Sequence, residues 1–210
     1  MIRVFIADDH AIVRDGLKRI LSEESGMEVV GEAGNGKEAL RLLRKTEWDF
    51  LLLDVSMPDM GGLDVLKRVL LDNPRKKVLI LTQHEEGSLA LRFLNAGAAG
   101  YLTKLEAADE LVKAIHKIMG GKRYVAAGVA EELVGEINSQ NDVPLHNTLS
   151  DREYGVLCKI ANGASLSTIA SELNITVSTV STYRRRILNK LNLSSNSDLT
   201  RYALEKGLVE

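Results

Sequence analysis

At 210 residues the chain is long for one domain and comfortable for two. Hydrophobic residues make up 45% and charged residues 27%, the balance of an ordinary globular protein, and a single cysteine, Cys158, excludes both an internal disulfide framework and a thiolate zinc site. The net charge of −2 is unevenly placed: residues 1–143 hold 19 Lys+Arg against 23 Asp+Glu, whereas residues 144–210 hold 8 against 6.

That asymmetry fits an acidic regulatory half and a mildly basic nucleic-acid half. No stretch approaches the roughly 18 apolar residues of a membrane span. The opening MIRVFIADDH runs from a short apolar stretch straight into acids, unlike a signal peptide. Cytoplasmic residence without membrane contact is therefore expected.

Short apolar runs at Arg3–Ala7, Glu28–Gly31, Phe50–Leu53, Val78–Thr82 and Gly100–Leu102 predict strands covered on both faces, as in a parallel sheet. Between them, Asp9–Glu23 sets Ile12, Val13, Leu17, Ile20 and Leu21 at helical spacing, Gly36–Lys45 does so with Ala39, Leu40 and Leu43, and Asp109–Met119 with Leu111, Val112, Ile115, Ile118 and Met119. Five strands alternating with helices predict a doubly wound α/β fold that holds ligands at the carboxyl ends of its strands. The pattern breaks at Gly120-Gly121. A weaker helix is expected near Val125–Ile137, followed by a polar, non-periodic stretch, Asn138–Asn147, so the domains are placed at 1–122 and 148–210 with residues 123–147 joining them.

The chemistry gathers where strands end. Asp8 and Asp9 follow the first strand and Asp54 the third, so a parallel sheet brings three carboxylates into one crevice. Their repulsion calls for a cation, and oxygen donors suit hard, octahedral Mg²⁺. Thr82 ends the fourth strand with a hydroxyl, and Lys104, just past the fifth, can hold a phosphoryl oxygen. An aspartate screened by a metal can itself accept a phosphoryl group. Asp9 also stands where it could cap the first helix. Met57-Pro58 and Gly61-Gly62 shape the turn after the third strand.

The segments ADDH, LLLDVSMPDMGGLDVL, LILT and GAAGYLTK resemble the receiver domain of two-component response regulators, a flavodoxin-like fold, over roughly residues 1–120. The resemblance implies that Asp54 accepts phosphate from a sensor histidine kinase. It implies that Asp8, Asp9, Asp54 and the Ser56 main-chain carbonyl hold Mg²⁺, that Thr82 and Lys104 contact the phosphoryl group, and that Tyr101 swings with Thr82 on activation. Ser56 and His84 fall where the family tunes the lifetime of the phosphoryl group. Many receivers follow the lysine with proline; here Leu105 stands instead.

Beyond Leu149 only helices are predicted: Ser150–Ala161, Ser165–Leu173, Val177–Leu191 and Ser195–Glu205. Ser150 with Glu153 makes a capping box, Asn162-Gly163 ends the first helix through a left-handed residue, and Ser165 caps the second. Two helices joined by a tight turn follow the helix-turn-helix plan, the second entering the DNA major groove. In that helix Ser178, Thr179, Ser181 and Thr182 suit phosphate or base contact, while Arg184, Arg185, Arg186 and Lys190 attract the phosphate backbone.

The stretch from Leu149 to about residue 207 resembles the LuxR-type helix-turn-helix of NarL/FixJ-type response regulators. It implies Val177–Leu191 as recognition helix and a last helix that often serves dimerisation, hence a homodimer on double-stranded DNA. Ser167, Thr168 and Ser181 replace charged residues common in the family, which shifts phosphate affinity toward Arg184–Arg186. Two rival readings are a DNA-binding regulator whose receiver works without phosphate, and a phosphohydrolase. The second needs a general acid two residues past Asp54, where Ser56 stands, so catalysis beyond slow self-dephosphorylation is not expected.

Overall fold

The computed structural model describes residues 1–57, 59–83, 87–131, 144–173 and 175–209. The chain divides into two compact units, Met1–Gly135 and Glu136–Glu210.

The first unit is built on a parallel sheet of β1 (Ile2–Ala7), β2 (Met27–Ala33), β3 (Phe50–Asp54), β4 (Lys77–Thr82), β5 (Gly100–Thr103) and β6 (Tyr124–Val125), ordered β2-β1-β3-β4-β5-β6. Between the first five strands and after them run α1 (Ala11–Ser22), α2 (Gly36–Leu43), α3 (Gly62–Asp72), α4 (Gly87–Asn95) and α5 (Ala107–Met119). Every residue of β3 is buried, which is why Phe50-Leu51-Leu52-Leu53 carries no polar alternation. Helix α1 packs against α5 and α2 against α3, so both sheet faces are covered.

Two expectations are corrected. The sheet has six strands rather than five, because Tyr124-Val125 pairs with Gly100-Tyr101 at its edge. The Tyr124 N–H donates to the Ala99 carbonyl at 3.1 Å and the Ala126 N–H to that of Tyr101 at 3.2 Å. Two residues show no periodicity; edge pairing makes this strand, helped by Gly100, where a Cβ would meet the Tyr124 carbonyl oxygen at 2.7 Å. Ile12, expected on the buried stripe of α1, is instead 88% exposed. With Leu17 and Leu21 facing the core, a position five residues before Leu17 lies about 140° around the helix.

Tyr124-Val125 belongs to the stretch read as a connector, and residues 127–131 (α6) are helical, in line with the start of the expected helix there. Residues 132–143, which hold the rest of that helix and most of the polar stretch, lie outside the described residues.

Among the described residues the second unit runs from a 3-10 turn, Leu145–Thr148, to α7 (Asp151–Ala161), α8 (Leu166–Leu173), α9 (Val177–Leu191) and α10 (Asn196–Glu205). Its core joins Val156, Leu157 and Ile160 of α7, Ile169 of α8, Val180, Ile187 and Leu191 of α9, and Leu199 of α10. Cys158 is half-buried against this cluster. The caps form as the sequence implied. Ser150 Oγ accepts from the Glu153 N–H while Glu153 Oε2 accepts from the Ser150 N–H at 2.7 Å. Gly163 takes φ +82°, Ser165 Oγ accepts from the Thr168 N–H at 3.1 Å, and Thr176 Oγ1 accepts from the Thr179 N–H at 3.2 Å to start α9. Asn192, at φ 55°, ends α9.

Candidate functional site

The order β2-β1-β3 reverses the direction in which strands are added, and the crevice at such a switch point is where open α/β sheets bind ligands. Ala7 pairs with Leu53, so Asp8 steps out of β1 beside Asp54, the last residue of β3. Asp54 in turn pairs with Leu81, and Thr82 with Thr103. The Lys104 N–H donates to the Thr82 carbonyl at 2.7 Å, fixing the lysine beyond β5. The turn after β3 is folded back tightly: a Cβ on Gly62 would meet the Asp54 carbonyl oxygen at 2.3 Å, and Asp59 takes φ 67°.

Within this frame Asp8, Asp54 and Thr82 are nearly sealed from solvent. The Lys104 ammonium lies 2.8 Å from Asp8 Oδ2 and 3.2 Å from Asp54 Oδ2. Burial pushes the Asp54 carboxyl up to about 6, with Lys104 opposing the rise and Asp8 and Asp9 adding to it. Burial disfavours the Lys104 ammonium, yet Asp54 and Asp8 outweigh that and raise its pKa.

Asp8 Oδ2, Asp9 Oδ1 and Asp54 Oδ2 are shielded from water, the first and last facing the Lys104 ammonium and Asp9 Oδ1 lying 2.7 Å from His10 Nδ1. One ligand atom each from Asp8, Asp9, His10 and Asp54 lies within 4.8 Å of the others. Three carboxylates against one ammonium leave two negative charges, which a divalent cation would balance. The donor set therefore fits a metal site.

Asp9 does not cap α1; His10 holds the N-cap position and its side chain makes no capping bond. Tyr101 is fully buried, its ring 6.3 Å from that of Phe93 on α4 and tilted by 50°. Ser56 is exposed in the bend after β3, and His84 lies outside the described residues. Sequence reasoning missed His10 and Arg14. The His10 N–H donates to Asp8 Oδ1 and the Arg14 Nη1 to the Asp8 carbonyl, each at 2.8 Å. Both follow the paired acids within two helical turns, and that spacing was the signal available for finding them. Thr103 Oγ1, donating to Glu106 Oε2 at 2.6 Å, likewise pins the loop that carries Lys104.

In the second unit Ser178, Thr179, Thr182, Tyr183 and Arg186 line one open depression of about 250 Å³ on α9. Ser181, Arg185 and Arg186 are exposed, and Arg184 Nε donates to Asn196 Oδ1. Lys190 stands apart: its ammonium is 2.6 Å from Glu153 Oε2 and donates to the Thr148 carbonyl at 3.1 Å, tying the end of α9 to the start of α7. Tyr183, beside the expected contact residues, was not singled out because its ring also packs against the core.

Residues 4–116 match the response regulator receiver domain, and residues 147–203 match the bacterial regulatory proteins of the luxR family. The chain belongs to the two-component response regulators that join a receiver domain to a LuxR-type DNA-binding helix-turn-helix. Among its relatives, response regulator UvrY of Escherichia coli K12 is 37% identical over 209 residues, covering 99% of this chain and 96% of that one. Response regulator GacA of Pseudomonas aeruginosa is 38% identical over 212 residues, covering 100% and 99%. The solved structure of RcsB from Salmonella enterica serovar Typhimurium, bound to promoter P1flhDC with the phosphomimetic BeF₃⁻, is 26% identical with a TM-score of 0.76 and covers 96% of this chain and 97% of that one. Among the described residues no helix is long and apolar enough to cross a membrane.

Proposed function

We propose that Asp54 accepts a phosphoryl group from a sensor histidine kinase and that this controls sequence-specific binding of a cytoplasmic homodimer to double-stranded DNA. The observation that carries the reading is the contact of Lys104 with two buried carboxylates, Asp8 and Asp54, at adjoining strand ends. An Asp54 oxygen bonds to phosphorus as the bond to the donor histidine nitrogen breaks. A carboxyl near 6 is mostly ionised, and so nucleophilic, at neutral pH. Mg²⁺, held by Asp8, Asp9, Asp54 and the Ser56 main-chain carbonyl, would screen the charge that opposes this attack.

The new group carries about −1.5 to −2 charges. Lys104 and the Thr82 hydroxyl turn toward its oxygens, Tyr101 follows Thr82, and the surface from Val78 to Tyr101 repacks to favour the dimer. On DNA, Ser178, Thr179, Ser181 and Thr182 meet bases or phosphates while Arg184, Arg185 and Arg186 supply charge; Lys190, expected to join them, instead holds Glu153 and the Thr148 carbonyl. Support for a DNA-bound dimer comes from the relative RcsB, described as two dimers bound to two parallel DNAs.

Acetyl phosphate with Mg²⁺ should label the wild type and not Asp54→Asn, and only the wild type should gain DNA affinity. Equal operator affinity for both proteins in phosphodonor would overturn the coupling.

A further inference from the structure

We propose that Val177 reads thymine: at the start of α9 its exposed isopropyl group meets the 5-methyl group of a thymine in the DNA major groove, and so sets a base preference that the hydroxyls around it cannot. The inference rests on the reading of α9 as the helix that contacts DNA and adds which feature of a base one of its residues selects.

Val177 is the first residue of α9, directly after the N-cap Thr176. It is 47% exposed, whereas Val180, one turn further on, is fully buried. At about 100° of rotation per residue, Val177, Ser178, Ser181 and Arg185 share one sector of the helix, and Val180, Ile187 and Leu191 another. The first four are exposed; the other three belong to the core of the second unit. From Val177 to Arg185 the face is about 12 Å long, close to the width of the major groove. An apolar tip can therefore reach base edges while the cation behind it meets a phosphate.

The hydroxyls at this end of α9 are already engaged. Thr176 Oγ1 lies 2.8 Å from both Ser178 Oγ and Thr179 Oγ1 and accepts from the Thr179 N–H at 3.2 Å. Thr182 Oγ1 donates to the Ser178 carbonyl at 3.0 Å. A hydroxyl both donates and accepts, so the capacity these groups retain suits a phosphate or either kind of base edge. Valine has no such latitude. Of the four bases only thymine carries a methyl group into the major groove, and packing it against Val177 takes apolar surface of both partners out of water.

The competing account makes Val177 a helix-start residue left in solvent, as single apolar side chains commonly are. Replacing it would then change affinity by the same factor on every duplex.

Uracil in place of thymine separates the two, because it pairs identically and lacks only the methyl group. The probe is a synthetic duplex selected from a random library by the full wild-type chain in acetyl phosphate and Mg²⁺. Its thymines are replaced by uracil one at a time and affinities are read by fluorescence anisotropy. At one thymine per half-site the wild type should lose about fourfold in affinity, the effect of one methyl group returned to water. That loss should vanish in Val177→Ala, while uracil at the remaining positions affects both proteins alike. Val177 lies outside the core cluster, so the alanine variant keeps its fold. A wild type indifferent to every uracil, or the same loss at the same thymine in Val177→Ala, overturns the inference and leaves the proposed function standing. A wild type that selects no duplex sinks both.

Discussion

Single side chains near the strand ends of the receiver sheet govern its expected response to acid and to metal. Arg3 donates to Asp49 from Nε and Nη2 at 3.0 Å each, and holds the Asp49 carboxyl down at about 2. A depressed carboxylate stabilises the fold fully above its unfolded pKa of about 4, and that contribution is lost as pH falls toward 2. Asp49→Asn should therefore lower stability at neutral pH and flatten the decline between about pH 4 and 2, as read by denaturant titration at several pH values. Lys104 offers a second case. Lys104→Ala strands two buried carboxylates and should cost about 3–5 kcal/mol without metal. The same change removes a cation beside the ion site, so Mg²⁺ should bind more tightly and restore most of the lost stability. Melting curves with and without MgCl₂ check both signs.

Among the elements, the turn after β3 has no room for added atoms. A methyl at Gly62 meets the Asp54 carbonyl oxygen at 2.3 Å and the Val55 Cα at 3.0 Å, both backbone and unable to yield cheaply. Gly62→Ala should cost about 1–3 kcal/mol and slow labelling by acetyl phosphate as well, because the displaced backbone is that of Asp54, the proposed acceptor. A variant that melts lower yet labels at the wild-type rate would detach this turn from the chemistry. Most elements were legible because their signals are local: apolar runs in β3 and β4, caps at Ser150 and Ser165, and acids at strand ends. What could not be read is what depends on distant partners. β6 exists through pairing with Gly100 and Tyr101, more than twenty positions earlier, and Ile12 faces outward because Leu17 and Leu21 fix the face of α1.

Over the whole molecule, sequence gave the two-part plan and the acidic site almost in full, since parallel topology converts strand-end positions into neighbours in space. The DNA-facing surface was less legible. Arginines and lysines look alike in sequence, yet Lys190 is engaged with Glu153, 37 residues away, whereas Arg185 stands exposed. Arg185→Ala should weaken DNA binding about equally across operator sequences and reduce the slope of log affinity against log salt by about 1. A loss confined to one operator would show a base contact instead. The distinction is measurable by fluorescence anisotropy over a salt series.

The clasp between Lys190, Thr148 and the Glu153 side chain has a mechanical corollary. It bolts the tail of α9 onto the first turn of α7 and the 3-10 turn before it. Loosening one end of this clasp, at Lys190 or at Glu153, would therefore free the last turn of α9 and the first turn of α7 together.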